Sequence, residues 1–156
     1  MGVALEDLAR LRIEGRPRGV ASVCSAHPIV LRAALRHGRE TGATVLIEAT
    51  CNQVNHRGGY TGMSPADFAA LVGGLARAEE CPEDRIILGG DHLGPNPWRD
   101  LPAEAAMGEA ERMVAAYVAA GFRKLHLDAS MGCAGEPAAL DDAATARRAA
   151  RLAAAA

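Results

Sequence analysis

The sequence IILGGDHLGPN at residues 86–96 indicates the fold of this chain most directly. An apolar run typical of a buried strand ends in two glycines, and Asp91 and His92 follow directly. Paired polar groups at the end of a strand are typical of parallel α/β proteins, whose sites lie at the carboxyl ends of the strands. Gly89 and Gly90 are expected to leave room for a ligand beside the backbone. A turn aspartate next to an ordinary histidine is the alternative interpretation.

Four short apolar runs alternate with helical patterns along the chain. The predicted strands cover residues 19–24, 44–49, 85–89 and 124–128, and the predicted helices cover residues 28–39, 65–79, 102–120 and 141 onward. This alternation predicts a parallel sheet with right-handed crossovers, in an open doubly wound sheet or in a barrel. The chain has no Gly-x-Gly-x-x-Gly or Gly-x-x-x-x-Gly-Lys segment, so the usual nucleotide-binding open sheets lack support. We therefore expect an α/β fold consisting of the first four βα units of a TIM (β/α)8 barrel.

The length predicts one partial barrel domain over residues 1–156, because a whole barrel takes about 250 residues. The chain ends in RLAAAA within a helical pattern, with no glycine or polar stop after it. We expect it to be the amino-terminal portion of a longer protein. A naturally frayed terminus and a fragment without function are the alternatives.

Composition excludes several classes of function. A net charge of -2 gives no basic surface for nucleic acid or for an anionic membrane. No apolar run approaches the roughly 20 residues of a membrane span, and the amino end lacks the apolar stretch of a signal peptide. The four cysteines include no Cys-x-x-Cys pair, so they are predicted to be reduced thiols and not a zinc knuckle. A cytoplasmic protein is expected.

The fourth predicted strand carries a polar face. Alternation with a period of two places Lys124, His126 and Asp128 together, so this face should point into the barrel, with Ser130 following at the top. Lys124 begins the strand, at the end where barrels hold residues for stability. It is therefore not expected to serve as an imine-forming lysine, and metal-assisted enolate chemistry remains.

In such chemistry a divalent ion polarises a carbonyl group and a carboxylate moves the proton. His92 suits the first role as a residue that holds the ion, and Asp91 suits the second. Glu48 lies within the apolar second strand, where a carboxylate is costly to bury unless it is paired, so it is a network member or a ligand group. The long loop after that strand suits a polyol or phosphate, or is a solvated glycine-rich loop. The predicted substrate-binding residues are Glu48, Asn52, Asn55, Asp128 and Ser130.

Six segments match a known family in order and at its spacing. They are SVCSAHP (22–28), LIEAT (46–50), NQVN (52–55), GGYTGM (58–63), GGDHLGPN (89–96) and HLDASM (126–131). With these segments the chain closely resembles the family described as the non-catalytic subunit of D-tagatose-1,6-bisphosphate aldolase. The resemblance runs from about residue 19 to the end, and it implies a barrel of which this chain is the first part.

The resemblance also implies a function. Members of that family are described as supporting the stability and activity of a separate catalytic subunit, a zinc-dependent class II aldolase, in the breakdown of galactitol, tagatose and N-acetylgalactosamine. Class II aldolases carry an Asp-His pair that falls here on Asp91, for proton transfer, and His92, on zinc. A divalent ion, zinc by preference, is thus expected here or in the catalytic subunit alone. The wider family is also associated with ketohexose 4-epimerisation by aldol cleavage and re-addition, so an enzyme acting on a sugar phosphate by itself is the alternative.

Overall fold

Four parallel strands form one sheet, and the chain adds them in sequence order. The computed structural model describes residue 5 and residues 7–156. The strands are β1 (Ser22–Cys24), β2 (Val45–Thr50), β3 (Ile86–Leu93) and β4 (Lys124–Leu127). The helices are α1 (Asp7–Ile13), α2 (Pro28–Thr41), α3 (Pro65–Ala78), α4 (Ala103–Ala119) and α5 (Asp142–Ala154). Short 3-10 turns cover Glu83–Arg85 and Asn96–Trp98.

The strand order distinguishes the two architectures that the sequence left open. Each strand pairs in parallel with the next one along the chain, and α2, α3 and α4 connect them. A doubly wound sheet reverses its strand order at a switch point, whereas a (β/α)8 barrel keeps the sequential order. The expected α/β class with four βα units is confirmed, and the sequential order is that of the first part of a barrel.

Local sequence signals explain where the helices begin and end. In α2, Pro28 occupies the first turn, and the ring Nδ1 of His27 accepts a hydrogen bond from the backbone N of Ile29 at 3.3 Å. In α3, Ser64 and Asp67 form a reciprocal capping box. These caps fix the starts of two helices whose buried faces pack against each other and, in α2, against β2.

Two elements differ from the predicted boundaries. β1 is three residues long, shorter than the predicted 19–24, because among the described residues it pairs with β2 alone, over Ser22 to Cys24. β3 continues to Leu93, past the predicted end at Gly89, because a bulge extends its pairing with β4. The sequence pattern did not predict α1, a helix that buries no residue.

Gly89 and Gly90 serve packing, so the expected room for a ligand beside them was wrong. A Cβ built on Gly89 would lie 2.8 Å from Cγ of Glu48, because the two residues are paired neighbours in the sheet. A Cβ on Gly90 would lie 2.6 Å from Leu93 and 3.0 Å from Tyr117. The space above both glycines is filled by side chains of the protein.

The core lies between the sheet and its helices. The largest fully buried side chain, Tyr117 of α4, packs edge-on against Phe122 and donates a hydrogen bond to the carbonyl oxygen of Val54 at 2.9 Å. This bond satisfies the buried hydroxyl and ties α4 to the loop that follows β2. Among the described residues, no helix combines the length and apolar character needed to cross a membrane.

Candidate metal centre and active site

A β-bulge brings two consecutive side chains to the same site. In a regular strand, neighbouring side chains point to opposite faces. The register of β3 against β4 shifts between Gly90 and Leu93, and His92 adopts a left-handed backbone conformation with φ of 50°. As a result, Nε2 of His92 lies 3.7 Å from Oδ2 of Asp91. The bulge therefore converts the Asp-His sequence into a convergent pair.

Asp91, His92 and His126 form a cluster that could hold a metal ion. One donor atom from each residue lies within 4.8 Å of the other two. The rings of His92 and His126 have centroids 4.5 Å apart. The His92 and His126 side chains are 56% and 44% exposed, so the cluster is open to a ligand. Two imidazoles and a carboxylate are ligand types that zinc uses in catalytic sites, and the donor set fits such an ion.

Carboxylates orient both histidines. Nδ1 of His92 lies 3.1 Å from Oδ2 of Asp128, and Nδ1 of His126 lies 2.8 Å from Oδ1 of Asp91. An ionised carboxylate only accepts hydrogen bonds, so each Nδ1 acts as the donor and each Nε2 remains available. Ser130 holds Asp128 in turn, because its backbone N and its hydroxyl donate to Oδ1 of Asp128 at 3.1 and 2.7 Å. This is the outer support that metal-binding histidines usually have.

Lys124 reaches the site, although the sequence placed it at the opposite end of the barrel. Its Cα is paired with Gly89, and its long side chain extends along the sheet to form an ion pair with Glu48. Its Nζ also lies 3.8 Å from Oδ1 of Asp91. The expectation that Lys124 lies outside the site was therefore wrong, because it considered the position of the residue and not the reach of its side chain.

Glu48 is buried and belongs to the same polar network. The residue is 4% exposed, and its carboxylate accepts a hydrogen bond from the hydroxyl of Ser22 besides the ion pair with Lys124. The hydrogen bond to one oxygen and the ion pair with Lys124 offset the cost of burying the charge. Of the two interpretations of Glu48, the network member agrees with this geometry.

The carboxylates of the site are poised to be ionised at neutral pH. Burial raises the pKa of Asp91, but the hydrogen bond from His126 and the charges of His92 and Lys124 outweigh it, so this pKa is lowered. Burial also raises the pKa of Asp128, but bonds from Ser130 and His92 lower it to about 2. The site therefore presents negative charge toward solvent, which favours a bound cation.

A cysteine borders the cluster without joining it as a thiolate. Sγ of Cys24, at the end of β1, lies 3.6 Å from Oδ2 of Asp91. Burial, followed by the charge of Asp91, raises the pKa of Cys24 to about 11. The neutral thiol is thus the expected form at neutral pH. Cys51 and Cys133, which also follow predicted strands, are buried.

Two predicted site residues lie elsewhere. Asn55 is 4% exposed, and its side chain holds the loop after β2 together by bonding the carbonyl oxygen of Cys51 and the backbone N of Arg57 and Gly59. Asn52 is exposed and, with Asn55, lines a cavity whose lining, within the described part of the chain, includes no residue of the metal cluster. The structure joins the other predicted residues in one network of hydrogen bonds and ion pairs: Glu48, Asp91, His92, Asp128 and Ser130.

Sequence reasoning assigned no role to His126, although the signal was present. The alternation in β4 placed it on the same face as Asp128. The missing information was the bulge in β3, which moves His92 into contact with the ring of His126.

Comparison with known proteins identifies the family of the chain. The family model for D-tagatose-1,6-bisphosphate aldolase subunit GatZ/KbaZ-like proteins matches residues 5–156. A protein of Agrobacterium fabrum named D-tagatose 6-phosphate 4-epimerase is 63% identical over 152 residues, which are 97% of this chain and 36% of that protein. A Klebsiella pneumoniae protein named D-tagatose-1,6-bisphosphate aldolase subunit GatZ is 56% identical over 148 residues, 95% of this chain and 35% of that protein.

A solved structure shows the same fold. The crystal structure of a probable tagatose 6 phosphate kinase from Sinorhizobium meliloti superposes with a TM-score of 0.87 at 64% identity, over 88% of this chain and 36% of that one. The chain thus spans about a third of the length of the relatives it matches. The resemblance identified from sequence segments is confirmed: the chain belongs to the family of D-tagatose-1,6-bisphosphate aldolase subunit GatZ/KbaZ-like proteins.

Proposed function

We propose that the full-length protein is a metal-dependent enzyme that inverts C4 of a ketohexose phosphate, with D-tagatose 6-phosphate as substrate. The observation that carries the proposal is the convergence of Asp91, His92 and His126, with their donor atoms within 4.8 Å of one another. The Agrobacterium fabrum relative, 63% identical to this chain, is named for that reaction. A purely structural role would not require two solvent-exposed imidazoles oriented by carboxylates.

The residues of the chain divide into ligands and a proton-transfer group. His92 and His126 would hold a divalent ion, zinc by preference, through the Nε2 atoms that Asp128 and Asp91 leave available. The bound ion would polarise the C2 carbonyl of the substrate. Lys124 and Asp128 would hold Asp91 and His92 in position through the contacts described above.

Asp91 would transfer the proton. It accepts the proton of the C4 hydroxyl, the electron pair of the C3–C4 bond moves to C3, and the products are an enediolate over C2 and C3 and an aldehyde at C4. After the aldehyde rotates, the enediolate attacks its other face, and Asp91 returns the proton to the oxygen on C4. The lowered pKa of Asp91 supplies the ionised form that this step needs.

The four βα units would form half of a complete barrel. We propose that residues 1–156 are one partial TIM-barrel domain and that further strands pair with the outer edges of β1 and β4. Support comes from the sequential strand order and from the 36% coverage of the superposed crystal chain.

The test is turnover by the purified full-length protein alone. Conversion of D-tagatose 6-phosphate to D-fructose 6-phosphate should stop with a chelator and return with zinc. Asp91→Asn should lower kcat by about 100-fold or more, the scale of a lost acid-base group. Asp100→Asn, at an exposed carboxylate on the loop after β3, is the matched control and should leave kcat unchanged. Turnover insensitive both to the chelator and to Asp91→Asn would contradict the proposal.

A second candidate function is support of a class II aldolase. The family description and the name of the Klebsiella pneumoniae relative, an aldolase subunit, favour it. Adding the full-length protein to a zinc-dependent catalytic subunit should then raise aldolase activity or the Tm of that subunit. If the Asp91→Asn variant gives the same increase, the support does not depend on the cluster of Asp91, His92 and His126. If neither the wild-type protein nor the variant gives an increase, the accessory role is excluded.

A further inference from the structure

We propose that a cavity beside the metal centre binds the phosphate-bearing end of the ketose phosphate. The cavity has a volume of about 290 Å³ and lies between the loop after β2 and the 3-10 turn after β3. Its lining includes Asn52, Arg57, Tyr60 and Trp98. This inference rests on the proposed function, since it assigns a part of the same substrate to a second set of residues.

The cavity lies within reach of the metal centre. The backbone N of Cys51 donates to the carbonyl oxygen of Asp91 at 3.2 Å, and Asn52 is the next residue along the chain. Because consecutive Cα atoms are about 3.8 Å apart, the Cα of Asn52 lies within ~9 Å of that oxygen. The phosphate of a hexose 6-phosphate is separated from C4 by two carbons and an oxygen. One substrate molecule can therefore extend from Asp91 toward the cavity.

The loop that forms the cavity is held in one shape by its own hydrogen bonds. The backbone N of Tyr60 donates to the carbonyl oxygen of Asn52 at 2.9 Å, and Asn55 bonds to backbone groups on both sides of it. Gly59 has φ of 54°, and a Cβ there would collide with the carbonyl of Gln53. A loop fixed in this way loses little conformational entropy when a ligand binds.

The lining combines groups that recognise a phosphorylated sugar. Tyr60 is 74% exposed, and Tyr60 and Trp98 both line the cavity. Aromatic faces provide contact area for the C–H groups of a sugar, and a free amide such as Asn52 binds its hydroxyls. Arg57, 62% exposed, adds a guanidinium whose positive charge attracts phosphate oxygens. Its Nε and Nη2 bond to Glu109, and among the described residues no hydrogen bond reaches its Nη1.

The charge balance behind the cavity favours an anion. The buried carboxylate of Glu109 accepts hydrogen bonds from Nε and Nη2 of Arg57 at 2.9 and 2.6 Å. It also forms an ion pair with Arg112 and lies 2.9 Å from Nε2 of His56. Two guanidiniums around one carboxylate leave one positive charge in excess. A phosphate monoester with a charge near -2 would be attracted to this excess.

Binding measurements on paired variants test the subsite. In the full-length protein with Asp91→Asn, which should slow turnover about 100-fold or more, calorimetry would give the Kd of D-tagatose 6-phosphate and of D-tagatose. We expect Arg57→Gln to raise the Kd of D-tagatose 6-phosphate about 10-fold or more, and that of D-tagatose far less. Tyr60→Ala should raise the Kd of both sugars about 3- to 10-fold.

Arg112→Gln is the matched control. Arg112 contacts the same Glu109 carboxylate and is 61% exposed, but it is not among the cavity-lining residues of the described chain. It should raise the Kd of D-tagatose 6-phosphate clearly less than Arg57→Gln does, because it removes a charge behind the cavity but no group that lines it, and Arg57→Lys should recover part of the affinity. An equal effect of Arg112→Gln and Arg57→Gln would overturn the subsite, because the effect would then act through Glu109. Unchanged Kd values in both Arg57→Gln and Tyr60→Ala would overturn it as well.

The outcomes separate this inference from the proposed function. If the wild-type protein shows no turnover but the Kd pattern holds, the phosphate subsite stands and the reaction is wrong. If turnover depends on Asp91 and Arg57→Gln leaves both KM and Kd unchanged, the reaction stands and the subsite is overturned.

Discussion

Two regions of the molecule combine carboxylates with histidine, and their charge balance differs in sign. The strand-end cluster consists of Asp91, His92, His126 and Asp128, and the Glu109 cluster consists of Glu109, His56, Arg57 and Arg112. In the Glu109 cluster two permanent cations surround one carboxylate. In the strand-end cluster two carboxylates face imidazoles, which are neutral when they bind a metal. Similar residue types thus give an excess of negative charge in the strand-end cluster and an excess of positive charge in the Glu109 cluster.

Exposure separates the two clusters further. Glu109 has a side chain that is 7% exposed, and its oxygens are occupied by protein groups. His92 and His126 are about half exposed, and within the described part of the chain no hydrogen bond reaches the Nε2 atom of either ring. The satisfied carboxylate of Glu109 thus stabilises the fold, whereas the oriented imidazoles of His92 and His126 keep a nitrogen open at the candidate metal centre.

The largest expected effect is that of removing a candidate ligand. His126→Ala should lower the affinity for zinc by more than about 100-fold, because the loss of a direct ligand exceeds the 10- to 100-fold effect of an outer partner. Equilibrium dialysis of zinc with the full-length protein measures this effect. His37→Ala, at an exposed histidine of α2, is the control and should leave the affinity unchanged. Equal zinc affinity in the two variants would remove His126 from the metal centre.

The next effect concerns the residue that orients His92. Asp128→Asn retains the shape of the side chain but removes the charge of the group that accepts the hydrogen bond from Nδ1 of His92. Zinc affinity should fall by about 10- to 100-fold. Ser130→Ala, which removes one bond to Asp128, should have a smaller effect in the same dialysis experiment. A larger loss in Ser130→Ala than in Asp128→Asn would show that the loop, and not the carboxylate, orients the histidine.

The Glu109 cluster should affect stability and not metal binding. Burial raises the pKa of Glu109, but Arg112, Arg57 and His56 outweigh it and lower this pKa from 4.5 to about 2. Glu109→Gln should lower the free energy of unfolding by roughly 1–2 kcal/mol near neutral pH and leave zinc affinity unchanged. Urea unfolding and dialysis measure the two quantities. A fall in zinc affinity without a fall in stability would reverse the roles assigned to the two clusters.

The same variant has a defined pH dependence. A carboxyl group whose pKa is lower in the folded state stabilises the fold above its unfolded pKa, and this contribution is lost as the pH falls through the folded value. The difference in unfolding free energy between wild type and Glu109→Gln should therefore be largest above about pH 5 and shrink toward about pH 2. A difference that does not change over this range would mean that the ion pairs do not form.

The smallest effect is expected at Cys24. Its thiol lies 3.6 Å from Asp91, but the raised pKa, about 11, keeps it neutral. Cys24→Ser should change kcat and zinc affinity by less than about 3-fold, and the thiol should react slowly with iodoacetamide near neutral pH. Fast alkylation that stops turnover would show that a thiolate takes part in the strand-end cluster.

Much of this fold could be predicted from the sequence, for identifiable reasons. Alternating patterns located the four strands, and Asp91, His92 and Asp128 were recognised because parallel strands end at a common edge. The partnership of His126 and His92 could not be predicted, because no residue pattern in β3 indicates that a histidine adopts a positive φ. The contact of Lys124 was missed because a strand position fixes a Cα and not the end of a long side chain.

The loop after β2 shows a different limit of sequence reasoning. Asn52 and Asn55 are chemically identical, and both were expected to contact substrate. Three bonds to backbone groups occupy Asn55, whereas Asn52 is exposed at the cavity. Such a division depends on how the loop closes, which is a three-dimensional property.

The bulge in β3 has a consequence for protein engineering. A designer who transplants the Asp-His pair onto a regular strand of another barrel would obtain one residue in the lumen and the other against a helix. The transferable unit is therefore larger than a dipeptide. It includes the register shift between Gly90 and Leu93 and a carboxylate directly after the next strand, placed as Asp128 is here, that accepts a hydrogen bond from the histidine.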